Sequence, residues 1–290
     1  MTELPVCWRS LLFVPAHSAR FIEKAHERDA DAIILDLEDA VPSAEKASAR
    51  ATLLASIGAV GRSGASVLVR VNSALRDVAR DLEACVHPGL SGLVLPKVEH
   101  AGCVRYVASA LDELERERAV PVGSIRLVLQ IETPEALHRL HDLAGCHERV
   151  IALALGSEDY SAAIGAVPDP ETLLYPSMAV LHAARAAGRH ALGFVDSIGA
   201  FSNLDALERT VRQARRFGFR GAMAVHPAQV PVLNAGFAPH PDELEWARRV
   251  IIGDEAARNE GLGAFQLDGR MIDAPVVRRA RDILRMGASR

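Results

Sequence analysis

Asp36, Glu38 and Asp39, then Arg70, Glu132 and Asp159, stand where apolar runs of the chain give out. If those runs are strands, one end of a sheet collects carboxylates and a guanidinium together. Such a gathering suits a hard cation and an anionic substrate, and burying it without such partners is costly. Glu132 lies in Gln130-Ile131-Glu132-Thr133-Pro134 and Asp159 in Gly156-Ser157-Glu158-Asp159. Two carboxylates from adjacent strands, completed by water and substrate oxygens, are the usual way of holding Mg2+. N-capping of the helices that follow accounts for them equally well. Arg70 sits inside Val67-Leu68-Val69-Arg70-Val71-Asn72, where a charge is expensive unless paired. Its planar fork suits either a substrate carboxylate or an internal ion pair with Asp36 or Glu38. Asp36, Glu38 and Asp39 can orient a metal-bound water or pair with a basic side chain; an acidic helix start explains them nearly as well. Lys97 after Leu95-Pro96 and His226 before Pro227 are strand-end groups that carry little weight singly.

The elements that must position these groups read as eight short β-rich runs, at 10–14, 32–36, 67–71, 92–95, 126–131, 150–155, 190–195 and 221–225. Segments with helical spacing lie between them, at 18–29, 43–56, 101–117, 134–144, 177–188 and 203–217. Alternating βα units imply parallel strands with right-handed crossovers, and near-continuous apolar runs imply strands covered on both faces. Eight repeats favour a closed (β/α)8 TIM barrel over an open doubly wound sheet. The turn after the first run, Pro15-Ala16-His17-Ser18-Ala19-Arg20, also lacks the glycine pattern of a dinucleotide site. The expected fold class is α/β, with the barrel over 1–228 and a small C-terminal helical and hairpin lid extension over 229–290. In that extension a charged amphipathic helix is expected near 241–260, and Asp268-Gly269 between apolar flanks signals a hairpin turn. Asp273 before Ala274-Pro275 reads as the N-cap of a helix whose spacing runs from Val276 to Leu284.

The 290 residues exceed by a small appendage the roughly 250 typical of such a barrel. Hydrophobic residues make up 49% and aromatics only 4%, so aliphatic packing must supply the core. With 33 basic against 37 acidic residues and no long Lys/Arg run, the chain is not expected to bind nucleic acid. Met1-Thr2-Glu3-Leu4-Pro5-Val6 lacks the basic start and apolar core of a signal peptide, and no run approaches the roughly 20 apolar residues of a membrane helix. A cytoplasmic location without membrane association is expected. Cys7, Cys85, Cys103 and Cys146 are scattered without a Cys-x-x-Cys pair and read as reduced thiols.

Arg9-Ser10-Leu11-Leu12-Phe13-Val14-Pro15, Leu35-Asp36-Leu37-Glu38-Asp39-Ala40-Val41-Pro42, Arg70-Val71-Asn72 and Leu95-Pro96-Lys97-Val98-Glu99 together resemble the citrate lyase β-subunit-like family of the HpcH/HpaI aldolase superfamily. The resemblance continues through Ile131-Glu132-Thr133-Pro134, Ala154 to Asp159, His226-Pro227-Ala228-Gln229 and Asp268 to Pro275, covering nearly the whole chain. It implies a TIM barrel that binds Mg2+ through Glu132 and Asp159 and makes or breaks a carbon–carbon bond in acyl-CoA thioesters. It further implies that Arg70 holds the carboxylate or carbonyl end of an oxoacid and that the Arg20 turn faces the CoA phosphates. Asp273 corresponds to an aspartate on a carboxyl-terminal lid that covers a neighbouring subunit's site in related malyl-CoA lyases. Such a group would exchange the proton at the thioester enolate, a step typically worth roughly 10²- to 10⁴-fold.

These readings converge on a Mg2+-dependent lyase cleaving a malyl-CoA- or citramalyl-CoA-like 3-hydroxyacyl-CoA to an acyl-CoA and a short oxoacid. Asp273, Arg70 and Asp36 are the candidate catalytic groups, and Arg70, Glu132 and Arg20 the candidate substrate contacts. The resemblance also implies a homo-oligomer, a trimer or hexamer. Three other functions stay open: a citrate lyase β subunit acting on a citryl carrier-protein thioester, a malate synthase-like condensation with hydrolysis, and a CoA-binding barrel without turnover. Two departures bear on the ligand: Gly221-Ala222 stands where many relatives have Gly-Lys, and Leu174-Tyr175-Pro176-Ser177 replaces a common Tyr-Ala-Arg-Ser. Both remove positive charge.

Overall fold

The computed structural model describes residues 8–199 and 201–288; Cys7 and the segment 1–6 lie outside the described residues. The chain divides into two compact units, Met1–Phe237 and Ala238–Arg290. In the first, eight parallel strands alternate with helices: β1 (Ser10–Pro15), β2 (Ala32–Asp36), β3 (Ser66–Arg70), β4 (Gly92–Leu95), β5 (Arg126–Ile131), β6 (Val150–Leu155), β7 (His190–Leu192) and β8 (Ala222–Ala224). Helices α1 (Ala19–Ala25), α2 (Lys46–Gly61), α3 (Leu75–Cys85) and α4 (Ala101–Glu117) follow the first four strands. The short helices α5 (Pro134–His138) and α6 (Leu140–Gly145) follow β5, α7 (Ser157–Ile164) and α8 (Pro170–Ala186) follow β6, α9 (Leu204–Phe217) follows β7 and α10 (Gln229–Phe237) follows β8. The strands run in the order β7-β6-β5-β4-β3-β2-β1-β8, and a parallel bridge between Leu192 and Gly221 joins the ends, which makes the sheet the expected (β/α)8 barrel.

The chain closes because each strand is apolar on both faces. Inward residues repeat every second position: Leu11, Ile34, Leu68, Val94, Val128, Ala152 and Met223 fill the barrel interior. The intervening residues, Leu12, Ile33, Val69 and Leu129 among them, pack outward against the helices. Gly221 lets the sheet close, since an added Cβ would fall 1.8 Å from the Trp8 carbonyl oxygen.

Several boundaries shift from the spacing for local reasons. The run at 190–195 keeps only Leu192 as its last strand residue, because Gly193 turns to φ 136° and hands its N–H to Gly221 O at 2.8 Å. The helix expected over 177–188 starts at Pro170, where the Asp169 side chain caps it by accepting from Thr172 N–H at 2.9 Å, and it carries Pro176 inside. The segment 229–237 forms α10 and packs on α9 and β1, so the division falls at Phe237.

The second unit is a helix, a hairpin and a helix: α11 (Pro241–Asn259), β9 (Phe265–Leu267) antiparallel to β10 (Arg270–Ile272), and α12 (Ala274–Ala288). Asp268 and Gly269 both adopt positive φ, 50° and 72°, as the two central residues of a tight hairpin turn require. Val250, Ile272, Val277 and Ile283 form its small core. Asp273 is the N-cap of α12, accepting from Val276 N–H at 3.4 Å. Cys85, Cys103 and Cys146 are free thiols, and among the described residues no helix is long and apolar enough to cross a membrane.

Candidate active site

The period of two that fills the barrel also selects its mouth. Asp36 ends β2 and Arg70 ends β3 at paired register positions, and Glu132 lies one residue beyond β5 on the inward side that Gln130 shares. Asp159 enters from the first turn of α7. All four line a cavity of about 430 Å³ at the carboxyl ends of the strands, where barrels of this kind carry their active sites.

Arg70 resolves the choice the sequence left between a substrate and an internal partner. Its Nε and Nη2 donate to the two Asp36 oxygens at 2.7 and 2.6 Å, and Nη1 lies 3.1 Å from Glu38 Oε2. The guanidinium also lies over the Phe13 ring, 4.8 Å from its centre. Burial disfavours its charge, yet the Asp36 and Glu38 carboxylates outweigh burial and raise its pKa above the ordinary arginine value. Asp36 is saturated, since the same two oxygens accept Glu38 N–H at 2.9 Å and Ala40 N–H at 3.2 Å. Arg70 is not saturated. Of its five N–H donors, two go to Asp36 and one points to Glu38, which leaves two without a close partner, although Nη1 also lies 3.9 Å from Asp39.

Lys97 has a part that its sequence position did not disclose. It adopts left-handed backbone geometry, φ 51°, a state uncommon for non-glycine residues and found where surroundings enforce it. In that state its N–H donates to Glu132 Oε2 at 2.6 Å while Nζ donates to Glu38 Oε1 at 2.7 Å. Nζ also lies 3.5 Å from Asp39 and 4.0 Å from Asp159. One residue thus ties the β5 carboxylate to the β2 cluster.

Glu132 is 2% exposed, and burial, then the nearby charge of Asp159, push its carboxyl up to about 7. Among the described residues its Oε1 has no hydrogen-bond partner. Among the described residues six carboxylates line the cavity, of Asp36, Asp39, Glu132, Glu158, Asp159 and Asp196, against the single guanidinium of Arg70. An anion entering this ring meets net negative charge unless a cation enters too. Glu132 and Asp159 offer a pair of donors for one: Asp36 is saturated, Glu38 and Asp39 face Arg70 and Lys97, and Glu158 and Asp196 already accept from Ser197. Among the described residues no group of three or more His, Cys, Asp or Glu is arranged to enclose a metal ion. Two carboxylate donors without a third ligand fit a hard cation that keeps waters and takes substrate oxygens, as Mg2+ does.

Gly156 makes room for this carboxylate, since a Cβ there would lie 2.4 Å from Glu132 Cγ and 2.7 Å from Oε1. Gly156→Ala is therefore expected to displace Glu132 and lower kcat/KM by about 100-fold, the scale of a misplacement of roughly 1 Å. Thermal unfolding should drop by only about 1–3 kcal/mol, an overpacking effect. Unchanged kcat/KM in steady-state assays would show that the position of Glu132 is unimportant.

Gln130 and Ser177 are further cavity residues that the spacing did not single out: both are buried, 5% and 2% exposed, and their Oε1 and Oγ have no partner among the described residues. Arg20 is exposed on the first turn of α1, with its guanidinium 5.9 Å from the Phe21 ring, and is not among the residues lining the cavity. His226 is likewise exposed and stacks on Phe201 at 4.8 Å.

Comparison with known proteins places this geometry. The family described as HpcH/HpaI aldolase/citrate lyase matches residues 9–227. Citrate lyase subunit beta of Leuconostoc mesenteroides subsp. cremoris is 33% identical over 284 residues, 96% of this chain and 92% of the relative. A (3S)-malyl-CoA thioesterase of Cereibacter sphaeroides is 33% identical over 279 residues, 96% of this chain and 93% of that protein. The crystal structure of the protein CitE from Mycobacterium tuberculosis, in complex with magnesium, acetoacetate and coenzyme A, superposes with a TM-score of 0.75 at 29% identity, covering 97% of this chain and 98% of that one.

Proposed function

The chain belongs to the HpcH/HpaI aldolase/citrate lyase family, and on that premise we propose that it is a Mg2+-dependent carbon–carbon lyase. Its substrate is a 3-hydroxyacyl-CoA of the malyl-CoA or citramalyl-CoA type, which it cleaves to an acyl-CoA and a short oxoacid. The observation that carries this reading is the buried Glu132 beside Asp159, two carboxylates on a cavity whose lining carries net negative charge. The magnesium and coenzyme A held by the Mycobacterium tuberculosis relative support it.

Held at Glu132 and Asp159, Mg2+ would supply positive charge that stabilises the substrate's alkoxide once the hydroxyl proton has left to solvent, before the carbon–carbon bond breaks. The two unspent Arg70 donors receive the acid's carboxylate, while Asp36 and Glu38 hold the guanidinium in place and keep it charged. Asp36 thus acts through Arg70 as a positioning residue. Lys97 fixes the orientation of Glu132 through its backbone N–H. As the alkoxide oxygen becomes the oxoacid's carbonyl, the electron pair of the carbon–carbon bond passes to the thioester fragment, whose carbon then takes a proton; Asp273 is assigned that transfer on the family resemblance. Arg20, exposed at the carboxyl end of β1, is assigned to the CoA phosphates on the same ground.

Mass spectrometry of products from malyl-CoA, β-methylmalyl-CoA, citramalyl-CoA and citryl-CoA tests the proposal. The expected result is acyl-CoA plus oxoacid from one of them, dependent on Mg2+ and lost in Glu132→Ala. Free CoA with the intact hydroxyacid would instead assign thioester hydrolysis, the activity named for the Cereibacter sphaeroides relative. No turnover of any thioester would sink the lyase reading.

A further inference from the structure

The two sides of the cavity differ in chemistry. The carboxylates of Asp36, Asp39, Glu132, Glu158 and Asp159 stand on the side of β2, β5 and α7, whereas Ala154, Leu192, Phe219 and Met223 form an apolar wall supplied by β6, β7, β8 and the approach to β8, with Asp196 beyond the end of β7 and Phe13 beneath the Arg70 guanidinium. At about 430 Å³ the space lies near the lower end of the roughly 300–1,000 Å³ typical of drug-sized ligands and cannot enclose a whole CoA thioester. The CoA arm must therefore lead outward, and the acid end of the substrate must lead inward. Once its carboxylate and hydroxyl oxygen are held at Arg70, Glu132 and Asp159, the remaining substituent on the hydroxyl-bearing carbon is left facing the apolar wall.

That substituent distinguishes the possible acids: a hydrogen, an alkyl group, or a second carboxylate on a methylene. We infer, resting on the lyase reading above, that the cavity selects monocarboxylic 2-oxoacids carrying an alkyl chain and rejects dicarboxylic ones. Three observations carry this. The wall is built of Phe, Leu, Met and Ala side chains. Among the described residues Arg70 is the one basic side chain lining the cavity, and the acid's first carboxylate takes the donors that Asp36 and Glu38 leave. Among the described residues that line the cavity, the two buried polar atoms left without partners, Gln130 Oε1 and Ser177 Oγ, belong to neutral groups. A hydroxyl or an amide can serve a water or a hydroxyl group, but neither neutralises a carboxylate. Space for a chain is also present, since two of the three β6 residues in the interior cluster are the alanines Ala152 and Ala154.

Calorimetric titration of the full chain with glyoxylate, pyruvate, 2-oxobutyrate, 2-oxovalerate and freshly prepared oxaloacetate, in saturating Mg2+, reads this without requiring turnover. Affinity is expected to tighten by about fourfold for each methylene added from pyruvate to 2-oxovalerate. Oxaloacetate is expected to bind at least about tenfold more weakly than 2-oxobutyrate, because its second carboxylate would lose water without gaining a partner. Ala154→Leu, which fills the wall, should collapse the ratio between 2-oxovalerate and pyruvate by tenfold or more on the same scale of buried area. A flat series, or oxaloacetate as the tightest ligand, would overturn the inference and leave the lyase reading standing. Heat from none of the oxoacids would overturn both. The wild-type series decides the matter should Ala154→Leu fail to fold.

Discussion

Arg70→Met is expected to lower stability by about 3–5 kcal/mol and to abolish turnover, because it leaves Asp36 and Glu38, 1% and 4% exposed, as buried carboxylates without their main counter-charge. Removing one member of a buried pair costs more than the pair contributes, since the survivor keeps its desolvation penalty. Asp36 would retain two backbone N–H bonds and Glu38 would retain Lys97, which places the loss within that range and not above it. At about 2–4 °C per kcal/mol for a unit of this size, the melting temperature should fall by roughly 10 °C. Introducing Asp36→Asn into the same background should recover part of the loss, because the orphaned charge is gone while the backbone N–H bonds are kept. Activity should not return, since the donors offered to the acid's carboxylate are absent from both variants. A melting temperature within the error of wild type would refute the ion cluster as the element that holds the mouth together.

The barrel was legible because its strands are covered on both faces and so leave unbroken apolar runs, such as Val150 to Leu155, at positions the structure keeps nearly unchanged. The location of Asp36, Arg70, Glu132 and Asp159 was legible for the same reason: a polar residue ending such a run marks the strand's exit from the core. The hairpin at Asp268-Gly269 and the capping role of Asp273 followed from local turn chemistry and needed no tertiary information.

What could not be read is what depends on side chains from different strands meeting. The sequence offered Arg70 two kinds of partner, and only the paired register of Asp36 and Arg70 shows that the internal pair forms while two donors stay unspent. Lys97 looked like an isolated strand-end lysine because its importance lies in a positive φ that no spacing encodes. Gly156 carries no signal at all until the approach of Glu132 is known. Gln130 and Ser177 read as an ordinary strand amide and helix hydroxyl, and their unsatisfied atoms appear only when the cavity is seen. Proline misled the spacing at α8, where Pro176 sits inside a helix that begins earlier at its Asp169 cap.

Glu132→Gln is expected to lower activity by at least about 10²-fold, the scale for losing one preorganised electrostatic stabiliser, while removing the pH response of the metal-free protein. In the fold, burial and the Asp159 charge hold the Glu132 carboxyl at about 7, against an ordinary value of 4.5. Between those values the folded chain binds more protons than the unfolded one, so stability falls as pH rises through the window. The full contribution is on the order of 3 kcal/mol, at about 1.4 kcal/mol for each pH unit of displacement. Glutamine has no proton to lose, so the variant's melting temperature should be flat where the wild type declines from pH 5 to pH 7. A cation at Glu132 and Asp159 opposes the decline, since it favours the ionised carboxylate. The stabilisation conferred by millimolar Mg2+ should therefore grow with pH in the wild type and vanish in Glu132→Gln. Melting curves at several pH values, with Mg2+ and with a chelator, measure both effects. A Mg2+ shift that survives in Glu132→Gln would place the cation elsewhere and remove the carboxylate pair from the mechanism.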